Sequence, residues 1–232
     1  MVLISLSIIT FASCKKNHDQ NHQSNCQLTS IARTANGNLT NIKISYDAQA
    51  RVSAVDQSGF IVDSRNFVYK NNTVLIYKQT ALSDSLTLNA AGYLLNDRLF
   101  ALSDKSSWLN WQYELNANNE AVKFTLTNSA GRKIAEQAYV YVDGNMIQDA
   151  STKYIYDTGK PAKTGDYFNV TRILATGIQH PVSKNLVTGT INGTDTIRFN
   201  YVYDANDRIT EINLTGRSIT GVNQIKPGYT CN

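Results

Sequence analysis

Short segments in which apolar and polar residues alternate recur along most of the chain. In residues 42–46 and 197–203 every second residue is aliphatic or aromatic, so these residues share one face of a strand. Clusters of Asp, Asn and Gly separate such segments, and these residues favour the tight turns that hairpins need. The pattern predicts an all-β fold, an antiparallel meander of roughly ten to fourteen strands.

The N-terminus carries a different pattern, an uncharged, mostly apolar run over residues 1–13 that leads directly into Cys14. A helix of this length extends about 20 Å, whereas a hydrocarbon core is about 30 Å thick. The run is therefore typical of a signal sequence and not of a membrane span. The small residues before Cys14 resemble the lipobox of bacterial lipoproteins, which implies cleavage before Cys14 and a diacylglycerol anchor on its thiol. The alternative is a core strand with a buried free cysteine.

Residues 15–25 contain no apolar side chain, so they can bury nothing and are predicted to form a flexible tether. His18 and His22 flank Asp19 at a spacing that suits a metal site on a helix, but nothing in the segment favours a helix. We interpret them as solvated tether residues. The predicted organisation is a signal peptide over residues 1–13, the lipidated Cys14 with its tether over residues 14–25, and a single β domain over residues 26–232.

One hairpin unit recurs along the β domain: an aromatic or aliphatic residue, Asp or Asn, two small polar residues and a return strand. The best copies are residues 46–52 (YDAQARV) and 203–209 (YDANDRI), and weaker or variant copies begin at Tyr69, Leu88, Leu115, Tyr141 and Tyr156. These units resemble YD repeats, the hairpins of Rhs-type shells and wall-associated proteins. With its lipobox and tether, the chain is similar to Bacteroidota outer-membrane lipoproteins of unknown function that are built from degenerate YD hairpins.

The copies are irregularly spaced, and Ala50 and Asp207 replace the usual Gly. We therefore expect one large curved sheet or an open or half barrel in place of a regular spiral shell. The concave face of such a sheet must be covered or must bind something. Two segments that break the hairpin rhythm, residues 97–112 and 161–193, are the candidate covers.

Composition supports this architecture and excludes several classes of protein. The 18 acidic residues are 14 Asp and only 4 Glu, and Asp favours turns whereas Glu favours helices. A chain with 42% apolar residues is not intrinsically disordered, and its apolar runs are too short for a multi-span helical membrane protein. The net charge of +4 is dispersed, which argues against nucleic acid as a partner.

Two cysteines remain once Cys14 is assigned to lipid, and they lie at the two ends of the β domain. A location in the cell envelope permits disulfides, and the remaining number of cysteines is even. We predict a bridge between Cys26 and Cys231 that ties the terminal segments together. Two free thiols are the alternative.

The sequence contains no motif that predicts catalysis: no Gly-x-Ser-x-Gly elbow, no His-Glu-x-x-His, no Walker loop and no paired-cysteine zinc pattern. Beyond the tether only His180 remains, and its position before Pro181 is typical of an extended loop. We predict no catalytic residue, no metal site and no cofactor. A carboxylate-dependent glycoside hydrolase, which needs only two acids, is a lesser alternative.

The interpretation that we prefer is a lipid-anchored, non-enzymatic binding or scaffold protein of the outer membrane, on its periplasmic or cell-surface side. Its expected partners are the membrane, through Cys14, and a glycan or another envelope protein. The alternative is a surface glycan-binding accessory of nutrient uptake, in which Trp108 and Trp111 stack on sugars. The simpler interpretation of both rings is that they pack in the core of the sheet.

Overall fold

The computed structural model describes residues 26–101, 105–180 and 182–231, and within these residues sixteen antiparallel strands close into a barrel. Each strand pairs with the next along the chain, and the last strand pairs with the first. The strands are β1 (Cys26–Ala35), β2 (Asn38–Tyr46), β3 (Val52–Gly59), β4 (Asp63–Lys70), β5 (Thr73–Lys78), β6 (Ala81–Leu88), β7 (Leu94–Phe100), β8 (Trp108–Leu115), β9 (Ala121–Asn128), β10 (Lys133–Val142), β11 (Asn145–Asp149), β12 (Thr152–Pro161), β13 (Asn185–Asn192), β14 (Asp195–Tyr203), β15 (Ile209–Gly216) and β16 (Gln224–Cys231).

The all-β antiparallel meander predicted from the alternating pattern is confirmed. The sheet closes fully, however, and has more strands than the ten to fourteen expected. It closes because β1 and β16 pair from Cys26 opposite Cys231 to Thr34 opposite Gln224. The predicted disulfide between Cys26 and Cys231 is present at this junction, so it joins the two strands that complete the barrel. The signal peptide, Cys14 and the tether with His18 and His22 lie outside the described residues.

Five hairpin turns share one geometry, which gives the recurring unit its physical basis. In the turn after β2, Asp47 Oδ1 accepts from the backbone N–H groups of Gln49 (2.9 Å) and Arg51 (3.0 Å). The fourth residue, Ala50, has a positive φ of 59°. The equivalent first residues in the other four turns are Asn89, Asn116, Asn128 and Asp204. Asp or Asn is favoured at this first position because its side chain satisfies two backbone donors of the turn.

Four of these five turns lie at the same end of the barrel. Successive strands run in opposite directions, so turns that are two strands apart share an end. The turns after β2, β6, β8 and β14 therefore lie at the end that carries Cys26 and Cys231, which we call the disulfide end. The connection from β12 to β13 begins and finishes at this end as well.

That connection contains a helix that packs against the core inside the barrel, α1 (Tyr167–Thr176). It begins after Asp166, whose side chain accepts from the N–H of Asn169 at 2.8 Å, and it ends at Gly177 in the left-handed conformation. A Cβ on Gly177 would lie 2.8 Å from the Phe67 ring, so only Gly fits there. No helix in the described part of the chain is long and apolar enough to cross a membrane.

Only one of the two candidate covers lies inside the barrel. Residues 161–193 do supply an internal cover, although the sequence did not predict that it is helical. Residues 97–112 do not, because their described parts form β7 and β8 of the wall, with Leu99 opposite Leu109 and Asp97 opposite Trp111. The expectation of a cover there is wrong, since the bulky apolar residues pair across two regular strands.

The interior of the barrel has two unlike halves, and β12 lies at one boundary between them. In the packed half, β1–β6 and β13–β16, inward side chains are buried against each other and against α1, and Val52, Val74 and Leu86 are fully shielded from solvent. In the open half, β7–β11, the described residues of β7 to β10 include no fully buried side chain. The helix buries Val170 and Ile173 in the core and turns its other face toward the open half.

Candidate ligand-binding cavity

A cavity of about 590 Å³ lies between α1 and the wall of the open half. Side chains from β7 to β11 form one wall, and one face of the helix forms the other. The mouth is at the disulfide end, between the turn after β8, the turn after β10 and Lys184. The residues that line it include Tyr93, Tyr113, Tyr139, Tyr141, Met146, Asp149, Phe168, Arg172 and Ala175.

The tyrosines of the two halves differ in what their hydroxyls do. In the packed half, the hydroxyls of Tyr46, Tyr201 and Tyr229 each donate to a backbone carbonyl, at 2.6, 2.7 and 2.9 Å. The cavity hydroxyls make no hydrogen bond to another described residue. They belong to Tyr93, Tyr113, Tyr139 and Tyr141. Polar groups inside a protein normally have a hydrogen-bond partner. Since no described residue supplies one here, these hydroxyls are available to water or to a ligand.

Burial keeps Tyr113, Tyr139 and Tyr141 in their neutral form. It raises the pKa of Tyr113 and of Tyr141 to about 12, and the pKa of Tyr139 is raised for the same reason. A neutral phenol both donates and accepts hydrogen bonds. The wall therefore presents aromatic surface that carries several hydrogen-bond donors at neutral pH.

Arg172 lies on the face of α1 that borders the cavity. No described carboxylate or carbonyl accepts a hydrogen bond from its guanidinium. Burial lowers its pKa, and the nearby hydroxyls of Tyr141, Tyr113 and Tyr93 act in the opposite direction. Arginine nevertheless stays protonated at neutral pH, so the cavity holds an unpaired cation.

His180 lies beside this cation near the mouth and stacks on the ring of Tyr93, with centroids 4.5 Å apart and the planes 15° from parallel. Burial, and then the charge of Arg172, lower the pKa of His180 below its ordinary value. The imidazole is therefore neutral at neutral pH. His180 belongs to the segment that connects α1 to β13.

Two inward-facing carboxylates of the open half have different surroundings. Asp149 lines the cavity and accepts hydrogen bonds from Gln137 and from the Tyr154 hydroxyl. Asp97 has one buried oxygen without a hydrogen-bond partner, and burial, with the nearby charge of Asp84, raises its pKa to about 7. Within the described residues, no group of three or more His, Cys, Asp or Glu side chains is placed to hold a metal ion.

The wall of the cavity is completed by side chains where β11 and β12 diverge. Only Gln148–Lys153 and Asp149–Thr152 are backbone partners between these strands. Beyond them, the Tyr156 hydroxyl donates to the carbonyl of Met146 at 2.7 Å. The hydroxyl of Ser183 accepts from the Met146 N–H at 3.1 Å. The segment that follows α1 therefore fixes the position of Met146 in the wall.

The structure places Trp108 and Trp111 on opposite faces of β8. Trp111 pairs with Asp97 and faces the interior, whereas Trp108 lies outside, with the guanidinium of Arg98 4.4 Å from its ring centre. Neither ring lines the cavity, and the two cannot stack together on one sugar. The sequence did not single out Arg172 or the tyrosines of the cavity. A signal was present, because Arg172 is the one charged residue of α1.

The outer surface of the barrel is charged. On adjacent strands β8, β9 and β10, Lys123 lies between Glu114 (2.8 Å) and Glu136 (3.6 Å). Lys226 pairs with Glu211 at 3.4 Å on the other side of the barrel. The exterior thus carries ion pairs, and exposed apolar side chains such as Val68, Val140 and Val202 lie among the polar residues.

No family model matches the chain, and no curated protein matches it. Among solved structures, it is similar to a porin-like protein from Bacteroides uniformis, with a TM-score of 0.66 at 13% sequence identity over 90% of this chain and 98% of that one. A porin-like protein from Bacteroides vulgatus matches with a TM-score of 0.43 at 11% identity, over 88% and 98% of the two chains. The first likeness shows that the fold is shared. The resemblance to YD-repeat lipoproteins stays a prediction.

Proposed function

We propose that the protein is a lipid-anchored envelope protein whose barrel binds a small amphipathic molecule without transforming it. The observation that carries this proposal is the aromatic cavity between α1 and the open half. Its volume of about 590 Å³ lies within the range of roughly 300 to 1,000 Å³ that is usual for small-molecule sites. In the packed half, by contrast, the buried inward side chains form one hydrophobic cluster with α1.

The outer surface supports an aqueous setting for the barrel. A lipid-facing wall is a band of apolar side chains, and each Lys or Arg placed near its middle costs about 2 to 4 kcal/mol. The outer wall here instead carries Lys123 between two glutamates and the Glu211–Lys226 pair. We propose that the membrane is reached through lipid on Cys14, and that the tether of eleven residues, with a reach of roughly 36 to 40 Å, holds the barrel beside it.

The cavity is tested by filling it. Binding of the fluorescent probe N-phenylnaphthylamine to the full chain is titrated for the wild type, Ala175→Trp and Ala138→Trp. Ala175 faces the cavity from α1, whereas Ala138 is exposed on the outer face of β10 and serves as the matched control. We expect Ala175→Trp to weaken binding at least about tenfold and Ala138→Trp to leave it unchanged. Equal binding by all three proteins would contradict the proposal.

The anchor is tested by metabolic labelling with a fatty-acid probe. We expect the wild type and the double variant Cys26→Ser, Cys231→Ser to incorporate the label, and Cys14→Ala to lose it. The double variant controls for the presence of a thiol, since it retains only Cys14. Labelling that persists in Cys14→Ala would refute the lipid anchor but would leave the cavity proposal intact.

Glycan binding as an accessory of nutrient uptake is the second candidate function. It is favoured by the number of aromatic rings that the cavity presents, because sugars stack on aromatic faces. Trp108 and Trp111 would act at separate places, one outside and one inside the wall. Binding on a glycan array that is lost in Ala175→Trp would support a sugar site in the cavity, and loss in Trp108→Ala or Trp111→Ala would place the sugar at the wall.

A further inference from the structure

The charge of Arg172 is not balanced within the part of the chain that the structure describes. Its guanidinium has no hydrogen-bonded acceptor among the described residues, and its neighbours are tyrosine hydroxyls and the imidazole of His180. Five N–H donors on a desolvated cation are expensive to leave unpaired. Because Arg172 lines a cavity, a ligand that carries a hydrogen-bond acceptor can reach its guanidinium.

Three other arginines are paired with a carboxylate and show how the chain uses an arginine in a structural role. Arg51, Arg65 and Arg208 are each paired with an aspartate, at 2.6, 3.0 and 2.6 Å. In every case the aspartate is two or four residues away in sequence. Arg172 has no acidic residue in its own helix, which contains neither Asp nor Glu. Its lack of a partner therefore distinguishes it from the structural arginines.

The carboxylates that border the cavity already accept hydrogen bonds from other side chains. Asp149 accepts from Gln137 and Tyr154, and Glu120, at the mouth, accepts from the side-chain amide of Asn116 at 2.6 Å. Neither carboxylate is among the groups that shift the pKa of Arg172. Among the described residues, the cavity thus combines a cation that has no hydrogen-bonded acceptor with two carboxylates that are hydrogen-bonded.

We propose that the molecule bound in the cavity is an amphipathic anion, whose oxyanion head group is held by Arg172 and by the hydroxyls of Tyr113 and Tyr141. The inference rests on the proposed function and adds the chemical class of the ligand. A planar guanidinium binds the two oxygens of a carboxylate or sulfonate with two parallel hydrogen bonds. The neutral phenols supply further donors to the same head group.

The rest of the cavity fits the apolar part of such a molecule. Met146 and Phe168 contribute apolar surface from the wall and from the helix, and the rings of the tyrosines extend it. The volume of about 590 Å³ admits a ligand of two fused or linked rings, or a medium aliphatic chain. Lys184 at the mouth is a second cation, and it favours the entry of an anion.

The experiment compares two probes that differ mainly in charge, anilinonaphthalene sulfonate and the neutral N-phenylnaphthylamine. Each is titrated against the full chain as wild type, Arg172→Met, Arg172→Lys and Arg98→Met. We expect Arg172→Met to weaken binding of the sulfonate at least about tenfold and to leave binding of the neutral probe within about twofold. Arg172→Lys keeps the positive charge, so its affinity for the sulfonate should lie between those of the wild type and Arg172→Met. Arg98, exposed on the outer wall, is the control for loss of an arginine.

The outcomes separate the two proposals. If Arg172→Met binds the sulfonate as tightly as the wild type, while Ala175→Trp still blocks both probes, the anionic head group is refuted and the binding cavity stands. If the wild type binds neither probe, both proposals fail. Should Arg172→Met not fold, as judged by circular dichroism, Arg172→Lys decides: sulfonate binding identical to that of the wild type in high and low salt would overturn the inference.

Discussion

The packed half and the open half of the barrel are built from the same kind of hairpin, but their inward side chains differ in burial and in hydrogen bonding. In the packed half, Val74 and Leu86 are fully shielded, and tyrosine hydroxyls such as that of Tyr201 donate to backbone carbonyls. In the open half, the inward side chains of β7 to β10 stay partly accessible, and the hydroxyls of Tyr113 and Tyr141 are unpaired within the described residues. The strand pattern alone therefore does not decide whether a wall becomes core or binding surface.

The difference comes from the two faces of α1. Val170 and Ile173 are buried on one face, whereas Thr171 and Ala175 on the other are exposed to the cavity. A sixteen-strand barrel is too wide for its own side chains to meet across the centre, so an inserted element has to fill part of it. The single helix α1 fills the packed half of the interior, and the space that remains between the helix and the open half is the cavity.

The largest expected contrast is in the cost of removing a leucine from each half. Leu86→Ala removes a fully buried side chain of the packed half, and we expect it to lower the free energy of unfolding by about 3 kcal/mol. Leu115→Ala changes a partly exposed residue that lines the cavity, and we expect a loss of less than about 1 kcal/mol. Urea denaturation of both variants measures the difference. Equal losses would show that the open half is as tightly packed as the other.

The second prediction concerns the pH dependence of stability that Asp97 imposes on the open half. Its pKa is about 7 in the folded protein and about 3.8 when unfolded, because burial disfavours the charged form. Between these values the folded protein holds a proton that the unfolded chain has lost, so stability falls as the pH rises from about 4 to 7. Below pH 4 both states are protonated, and this contribution disappears.

Asp97→Asn removes this dependence, since an amide does not titrate. We expect the variant to be more stable than the wild type by about 2 kcal/mol above pH 7, a value reduced from the full shift because the site keeps some contact with water. The two proteins should converge near pH 4. The measurement is the difference between their unfolding free energies from pH 4 to 8, which cancels the titration of all other groups. A difference that does not change with pH would mean that Asp97 is well solvated.

Much of the wall could be predicted from the sequence, because it depends on local signals. Alternation gives the strands, and an Asp or Asn that caps its own turn gives the hairpins, as Asp47 and Asp204 do. The disulfide follows from the number and placement of the cysteines. Closure of the sheet could not be predicted, since it depends on the register between β1 and β16, which are separated by the whole domain.

The site was less accessible to sequence reasoning than the wall. Helix α1 has few strong helix formers and carries β-branched residues such as Val170 and Thr171, so its local preference is weak and tertiary packing decides its state. Without the helix, Arg172 has no defined position, and the tyrosines of β8 and β10 are indistinguishable from core residues. The tryptophans attracted attention as large rings, but their spacing of three residues puts them on opposite faces of a strand.

The smallest predicted effect compares one turn from each half. Ala50, after β2, and Asn119, after β8, occupy the same left-handed position, with φ of 59° and 61°. An alanine is strained there, whereas asparagine tolerates the conformation and also accepts a hydrogen bond from Asn89 at 2.8 Å. We expect Ala50→Gly to raise the free energy of unfolding by about 0.5 to 1 kcal/mol and Asn119→Gly to give no gain. Ala48→Gly, in the same turn without a positive φ, is the control and should be slightly destabilising. If Asn119→Gly stabilised the protein as much as Ala50→Gly, the cavity-side turn would be under the same strain as its counterpart, and its asparagine would need an explanation other than backbone conformation.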